Sequence, residues 1–160
     1  GTIKARGFSQ GLLPGRTAEA TFPRHLWELS RGKPASASSV ENDGHAPAAG
    51  NDGDSATRWC AAGGSVPQWG QVDLQEPREV CACEIVWEFD DRSYGYRIEG
   101  SLDGKQWTKL VDCEARPQSG EVQRHDFATT KARYLRLTVT KLQEDPLTWA
   151  SLWEFRALGQ

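Results

Sequence analysis

The sequence predicts an all-β domain, built as an antiparallel β-sandwich. Several short segments alternate apolar and polar residues with a period of two, which is typical of half-buried strands. Residues that favour turns, mainly Gly, Asp, Asn and Pro, separate these segments, and no convincing helical periodicity is present. The length of 160 residues is enough for one domain with its own hydrophobic core.

The first residues differ from the rest of the chain. Thr2 to Ala5 and Thr17 to Phe22 are predicted as two short strands, joined by a turn at residues 13–15 where Pro and Gly follow Leu. We expect residues 1–28 to form an N-terminal arm or the remnant of an upstream domain, and residues 29–160 to form the main module. No segment has the features of a signal peptide, so we expect a mature form or an excised piece.

The main module contains two clear strand patterns. In residues 79–90 the predicted core face is formed by Cys81, Cys83, Ile85, Trp87 and Phe89. In Ala132 to Thr140 the pattern directs Leu135, Leu137 and Val139 inward. The sequence also has seven tryptophans and no methionine. Four of these tryptophans lie on strands or inside motifs and are expected in the core: Trp59, Trp69, Trp87 and Trp107.

Composition and motifs exclude several classes of function. The net charge is -3 and the basic residues are scattered, which disfavours a nucleic-acid partner. No apolar run approaches the length needed for membrane insertion. The chain contains no Gly-x-Ser-x-Gly, no His-Glu-x-x-His and no phosphate-binding loop, so nothing in it indicates an enzyme.

Four cysteines, at positions 60, 81, 83 and 113, are compatible with either disulfides or free thiols. They allow three complete pairings, and the sequence does not choose among them. Cys81 and Cys83 are predicted on one strand face and therefore should not pair with each other. Because no Cys-x-x-Cys is present, we expect neither zinc binding nor thioredoxin-type chemistry.

The stretch from Ala48 to Cys60 is the most informative part of the chain. Asp52 and Asp54 flank Gly53, and Thr57 follows three residues later. Carboxylate and hydroxyl oxygens gathered in a tight turn suit calcium, which takes about six to eight oxygen ligands. The spacing is shorter than an EF-hand loop. The same residues are also compatible with a plain polar turn closed by an Asx-type hydrogen bond.

Six ordered segments resemble a known family. They are His45-Ala46 and residues 51–59, 69–74, 96–107, 132–140 and 149–155. Together they look like discoidin, or coagulation-factor type C, domains, and are most similar to bacterial carbohydrate-binding modules of family 32. The likeness covers roughly residues 29–159. It implies a galactose-binding-like jelly-roll β-sandwich with a structural calcium ion.

The resemblance also implies the ligands of that ion. They would be the carbonyl of Ala49, the side chains of Asp52 and Asp54, the hydroxyl and carbonyl of Thr57, the carbonyl of Trp153 and the carboxylate of Glu154. One cation would then join an early loop to the last strand. It would also offset the repulsion among the carboxylates that surround it.

In such modules the sugar lies in a shallow site on loops at one end of the sandwich. The matching candidates in this chain are His45, Asp90, Asp91, Arg92 and Trp149. A carboxylate accepts sugar hydroxyls, an arginine donates to them, and a tryptophan can stack on the C–H face of the ring. A plainer interpretation stays open for each: an exposed loop histidine, a solvated charged turn, and a core tryptophan. The stretch from Glu88 to Tyr94 is short and acidic, so the identity of the sugar is open.

We therefore expect a noncatalytic carbohydrate-binding module, stabilised by calcium, that binds galactose-type or related glycans. It would be monomeric and would tether a larger bacterial enzyme, secreted, periplasmic or on the cell surface, to its substrate. The alternative is a discoidin-type protein-interaction domain or a structural spacer that binds no sugar. Lipid binding is disfavoured because Val66 and Leu147 are isolated apolar residues in otherwise polar loops.

Overall fold

The computed structural model describes residues 2–7, 17–21, 25–144 and 148–160. Strands β1 (Thr2–Arg6) and β2 (Thr17–Thr21) pair antiparallel, as the sequence predicts. The turn expected at residues 13–15 lies outside the described residues. The assignment of residues 1–28 to a separate arm stays a prediction.

Within the described residues, eight further strands form one antiparallel sheet. They are β3 (Trp27–Glu28), β4 (Ala35–Ala37), β5 (Trp59–Cys60), β6 (Gln68–Trp87), β7 (Tyr94–Ser101), β8 (Thr108–Asp112), β9 (Val122–Leu142) and β10 (Ser151–Gly159). Two short 3-10 helices, Asp43–His45 and Pro47–Gly50, lie between β4 and β5. Because Trp27 and Glu28 pair with β10, this sheet begins two residues before residue 29.

Two long, irregular strands divide this sheet into two layers. The first half of β6 pairs with β4 and with the second half of β9, which continues to β7 and β8. The second half of β6 pairs with β10 and with the first half of β9, and β10 also pairs with β3 and β5. The register shift between Asp73 and Arg78 separates the two halves of β6. Such irregularities let one strand take part in both layers of a sandwich.

The antiparallel β-sandwich that the sequence predicts is therefore confirmed. Trp69 to Leu74 and residues 79–90 are, however, parts of one bent strand rather than two strands. Leu135, Leu137 and Val139 are fully buried, as their alternation predicts. Trp59 and Trp87 are also in the core. Fully burying one large apolar side chain stabilises a fold by roughly 1.5–3 kcal/mol, so this layer interface is the main source of stability.

The core face predicted for residues 79–90 is partly wrong. Ala82 and Cys83 are both fully buried, whereas Cys81 is partly exposed. A register shift between Val80 and Ala82 breaks the alternation, because an irregular residue turns the following side chains to the other face. Cys83 is therefore in the core, whereas Cys81 is not. All four cysteines lie in the described part of the chain, and all are free thiols.

Two of the four tryptophans predicted in the core are not there. Trp69 and Trp107 are partly exposed, and the guanidinium carbon of Arg136 lies 4.6 Å and 4.0 Å from their ring centroids. Gln71 accepts two hydrogen bonds from the same guanidinium, at 3.1 and 2.8 Å. The two rings therefore stabilise a cation on the outer face of the sheet through cation–π contacts.

Candidate functional site

Four segments of the chain meet at one end of the sandwich, which we call the loop end: residues 41–45, 58–60, 88–93 and 148–151. The amide of Glu41 donates to the carbonyl of Cys60 at 2.9 Å, and the amide of Glu88 donates to the carbonyl of Ser151 at 3.3 Å. The guanidinium of Arg92 donates to the hydroxyl of Thr148 at 2.8 Å. The predicted sugar contacts His45, Asp90, Asp91, Arg92 and Trp149 all belong to these segments.

His45 is held in place at the loop end. Its Nδ1 lies 2.5 Å from Oε2 of Glu41 and 3.3 Å from Nδ2 of Asn42. Asn42 also caps the first 3-10 helix by accepting the amide of Gly44 at 2.8 Å. The ligand atoms of Glu41, His45 and Cys60 all lie within 4.8 Å of one another. His45 is consequently a fixed group inside a polar cluster.

An ion pair lies beside this cluster. Nε of Arg58 is 3.1 Å from Oε1 of Glu88, and the Arg58 guanidinium carbon is 5.5 Å from the ring centroid of Trp153. The other carboxylate oxygen of Glu88 is buried and has no hydrogen-bond partner among the residues described. Burial raises the pKa of the Cys60 thiol to about 11, and the carboxylates of Glu41 and Glu88 add to this shift. Glu41 lies within 4.8 Å of the Cys60 sulfur, and Glu88 is hydrogen-bonded through its amide to Ser151, which pairs with Cys60.

The sequence interpretation missed Glu41, Arg58 and Glu88 as candidates for the site. Arg58 belongs to the Thr-Arg-Trp part of the early motif, and Glu88 opens the acidic stretch, so both carried a weak signal. Glu41 lies four residues before His45, in a loop where acidic residues are common. Only the fold brings the three side chains together.

Arg92 anchors the other side of the loop end. Nε of Arg92 lies 3.3 Å from Oδ1 of Asp91, and its guanidinium carbon is 5.3 Å from the ring centroid of Phe89. The ring of Phe89 meets that of Trp149 edge to face at 5.8 Å. Trp149 is partly buried, and within the described part of the chain its Nε1 has no partner. Asp90 is exposed, and its carbonyl accepts the amide of Gly120 at 2.9 Å.

Two aromatic rings lie beneath these loops. Tyr94 stacks on Trp87 with ring centroids 3.9 Å apart, and both residues are almost fully buried. Neither the Tyr94 hydroxyl nor Nε1 of Trp87 has a hydrogen-bond partner in the described ranges. Burial raises the pKa of Tyr94, and the Glu88 carboxylate raises it further. Tyr94 and Trp87 thus form an aromatic layer under the loops, and their polar atoms are unpaired within the described residues. The Glu88 carboxylate is close to Tyr94.

The loop predicted to bind calcium is closed by its own hydrogen bonds. Asp52 accepts the amide of Asp54 at 2.8 Å and the hydroxyl of Thr57 at 2.7 Å. Asp54 in turn accepts the amide of Ala56 at 2.9 Å. These are the Asx-type bonds of the plain polar turn, and they also gather carboxylate and hydroxyl oxygens in one place.

Glu154 adds a buried carboxylate next to this loop. It is 1% exposed, and neither of its carboxylate oxygens has a hydrogen-bond partner within the described residues. Burial raises the pKa of Glu154, the nearby amide of Gly53 and the charge of Arg156 lower it, and the charges of Glu28 and Asp52 raise it again. The structure therefore brings Asp52 and Glu154 together. An unpaired buried carboxylate is costly, so these residues fit a cation that they would hold.

Two of the three carbonyls predicted as ligands, those of Ala49 and Trp153, lie on the same side of the fold. β10 pairs with β6 at Leu152 and at Glu154, so Trp153 is the extra residue of a bulge and its backbone is outside that ladder. Ala49 is in the second 3-10 helix, where Gly50 packs closely against Leu152. Both positions are next to the loop that carries Asp52.

Comparison with known protein families gives a match for this chain. A sequence model of the F5/8 type C domain matches residues 34–155. No curated protein resembles the chain closely enough to count as a match. In the described part of the chain no helix is long and apolar enough to cross a membrane.

Several solved structures of carbohydrate-binding modules are similar to this chain. A variant of chitosan-binding module 1 from a chitosanase/glucanase of Paenibacillus sp. IK-5 is 32% identical, with 84% of this chain and 100% of that chain covered and a TM-score of 0.75. Module 2 of the same enzyme, solved with chitotriose, is 30% identical, with 82% and 99% covered and a TM-score of 0.73. CpGH89CBM32-4 of Clostridium perfringens, solved with GlcNAc-α-1,4-galactose, is 16% identical, with 86% and 97% covered and a TM-score of 0.74. The chain is thus a member of the F5/8 type C, or discoidin, family and has the β-sandwich fold of its carbohydrate-binding modules.

Proposed function

We propose that this chain is a noncatalytic, calcium-stabilised carbohydrate-binding module whose loop end recognises an amino-sugar polymer of the chitosan type. The observation that carries the proposal is that two carboxylate residues flank Cys60 at the loop end. Glu41 lies within 4.8 Å of the Cys60 sulfur, and the amide of Glu88 donates to Ser151, the strand partner of Cys60. Glucosamine units carry ammonium groups in weakly acidic solution, and carboxylates bind ammonium groups through charge-assisted hydrogen bonds. We therefore propose a chitosan-type ligand in place of the galactose-type sugars expected from the sequence.

Glu41 and Glu88 differ in exposure and in the hydrogen bonds that their carboxylates already make. Glu41 has a side chain that is 47% exposed, so a ligand can reach it without displacing the fold. Glu88 uses one oxygen for Arg58, and its buried second oxygen has no partner in the described part of the chain. A sugar amine or hydroxyl that donates to this oxygen would remove the cost of leaving it unpaired. The net charge of -3 also favours a polycationic ligand.

Arg92 and Trp149 would form the second part of the site. The Arg92 guanidinium is held by Asp91, Thr148 and Phe89, so its orientation is fixed beside the proposed sugar site. Trp149 is fixed by its edge contact with Phe89. The modules from Paenibacillus support a glucosamine oligomer as ligand, because they are at least 30% identical to this chain over more than four fifths of it.

For the ion, we propose that the side chains of Asp52, Asp54, Thr57 and Glu154 and the carbonyls of Ala49, Thr57 and Trp153 hold Ca²⁺. The bound ion would contribute stability, not reactivity. Supporting observations are the buried, unpaired carboxylate of Glu154 and the charge of Asp52 beside it. These residues would fix the early loop against the last strand and thereby set the shape of the loop end.

The proposed biological role is tethering. A shallow site orders few ligand atoms, so we expect weak affinity for a single site. A module of this kind, monomeric and attached to a larger secreted, periplasmic or cell-surface enzyme, would hold the catalytic domain near its polymer and raise the effective concentration. The relatives named above include modules of a chitosanase/glucanase.

Calorimetry with chitotriose tests the proposed specificity. We expect binding of chitotriose, about tenfold weaker binding of its fully N-acetylated form, and little binding of galactose, because only the free amine pairs with a carboxylate. Glu41→Gln and Glu88→Gln should each weaken binding by about tenfold or more. Glu76→Gln is the matched control, since Glu76 is exposed and pairs only with Arg78 among the described residues.

Two outcomes would overturn the proposal in different ways. Equal affinity for chitotriose and its acetylated form would remove the amino-sugar specificity and leave a general glycan site. The absence of binding across a broad glycan array would support the spacer or protein-interaction alternative.

A further inference from the structure

Three side chains with different donor atoms converge at the loop end. A carboxylate oxygen of Glu41, a ring nitrogen of His45 and Sγ of Cys60 all lie within 4.8 Å of one another. In the part of the chain that the structure describes, this is the one group of three metal-ligating side chains so arranged. Metal–ligand bonds of about 2.0–2.3 Å place ligand atoms three to four ångströms apart, so small side-chain rotations complete a site.

The donor set selects the kind of cation. Calcium takes oxygen ligands only, whereas thiolate and imidazole favour Zn²⁺ and related transition-metal ions. The set at Glu41, His45 and Cys60 therefore differs in chemistry from the oxygen cluster at Asp52 and Glu154. Spacing along the chain gave no sign of it, because the ligands come from two segments and not from a Cys-x-x-Cys motif.

The backbone holds these ligands together. The amide of Glu41 donates to the carbonyl of Cys60 at 2.9 Å, which fixes the two segments next to each other. The first 3-10 helix, Asp43–His45, sets the position of the histidine four residues after Glu41.

We propose that Glu41, His45 and Cys60 bind a divalent transition-metal ion of the Zn²⁺ class, with the remaining position open to water or to a ligand. The sulfur–metal bond forms as the thiol proton leaves to solvent, and no redox change is involved. Because Glu41 is also a proposed contact for the sugar amine, metal and amino sugar compete for it. This second part rests on the proposed function.

Cobalt absorption tests the metal site directly, in the calcium-loaded protein. Titration with Co²⁺ should produce a thiolate-to-cobalt charge-transfer band and tetrahedral ligand-field bands, and Zn²⁺ should abolish both by displacement. Cys60→Ser should lose the charge-transfer band, and His45→Ala should weaken cobalt binding by about 10-fold or more. Cys81→Ser is the control, because Cys81 is also a free thiol but is partly exposed and belongs to a different strand.

Each experimental outcome tests one part of the proposal: the metal site or the shared use of Glu41. No charge-transfer band in the unmodified protein, or an unchanged band in Cys60→Ser, overturns the metal site. If Cys60→Ser proves unstable, His45→Ala alone decides, since His45 ends a short 3-10 helix outside the core. For the second part, Zn²⁺ should weaken chitotriose binding, and an unchanged affinity overturns the shared use of Glu41. The absence of chitotriose binding in calcium-loaded, zinc-free protein would instead refute the proposed function and leave the cobalt result standing.

Discussion

The buried carboxylate of Glu154 lies beside the backbone amide of Gly53, and this contact joins the last strand to the early acidic loop. The carboxylate of Asp52 is close enough to raise the pKa of Glu154, as burial also does. Two like charges are thus held together where one of them has little access to water. The stability of the fold should therefore depend on what offsets those charges.

Removal of calcium should destabilise the protein. A ligand that binds only the folded state adds about 2.7 kcal/mol when its concentration is 100 times its Kd. For a domain of this size that corresponds to roughly 5–10 °C in Tm. We expect this fall when scanning calorimetry in excess Ca²⁺ is repeated with a chelator at matched ionic strength. An identical Tm in the two buffers would contradict the calcium site.

The effect of Glu154→Gln on Tm should differ in sign between calcium-free and calcium-loaded protein. In a chelator the substitution removes a buried charge whose pKa is raised, so we expect Tm to stay the same or to rise. In excess Ca²⁺ it removes a ligand, so we expect Tm to fall relative to the unmodified protein. Glu76→Gln, an exposed carboxylate, should shift Tm little in either buffer. A similar fall in both buffers would mean that Glu154 contributes through packing and not through an ion.

The pair of Asp73 and Arg133 gives a pH-dependent prediction. The Arg133 guanidinium donates to both carboxylate oxygens, at 2.8 and 2.9 Å, and holds the pKa of Asp73 below its usual 3.8. Stability from a lowered carboxyl pKa is present above the unfolded value and is lost as the pH falls through the folded one.

Arg133→Gln should therefore raise the pKa of Asp73 towards its usual value and make the protein less stable at neutral pH only. The measurement is an NMR titration of the Asp73 carboxyl carbon, combined with unfolding curves at neutral and at strongly acidic pH. Arg78→Gln is the control, because Arg78 pairs with Glu76. An unchanged titration of Asp73 in Arg133→Gln would show that the ion pair has no effect in solution.

The substitution Arg92→Lys should weaken glycan binding without unfolding the domain. Lysine keeps the charge but cannot contact Asp91, Thr148 and the ring of Phe89 at once, so its donor has no fixed direction. We expect chitotriose affinity to fall by about tenfold in calorimetry, with Tm nearly unchanged. Arg116→Lys, in an exposed loop, should bind as the unmodified protein does. Full affinity in Arg92→Lys would exclude Arg92 from the site.

The strand patterns were predictable where burial follows a regular alternation. Leu135, Leu137 and Val139 face the core as expected, because each lies two residues from the next on a regular stretch of strand. The prediction was wrong for Cys81, where a register shift interrupts the alternation. It was also wrong for Trp69 and Trp107. Their rings contact the Arg136 guanidinium, and this cation–π contact stabilises them at the surface.

The sequence by itself determined the β class, the strands with regular alternation and the acidic loop at Asp52, since these depend on residues that are close in the chain. Only the tertiary structure decided that Glu41, His45 and Cys60 come within 4.8 Å of one another and that Glu154 lies beside Gly53. The physical reason is that spacing records which face a residue occupies on its own strand, whereas neighbours from distant segments are set by strand order, bulges and the packing of two layers.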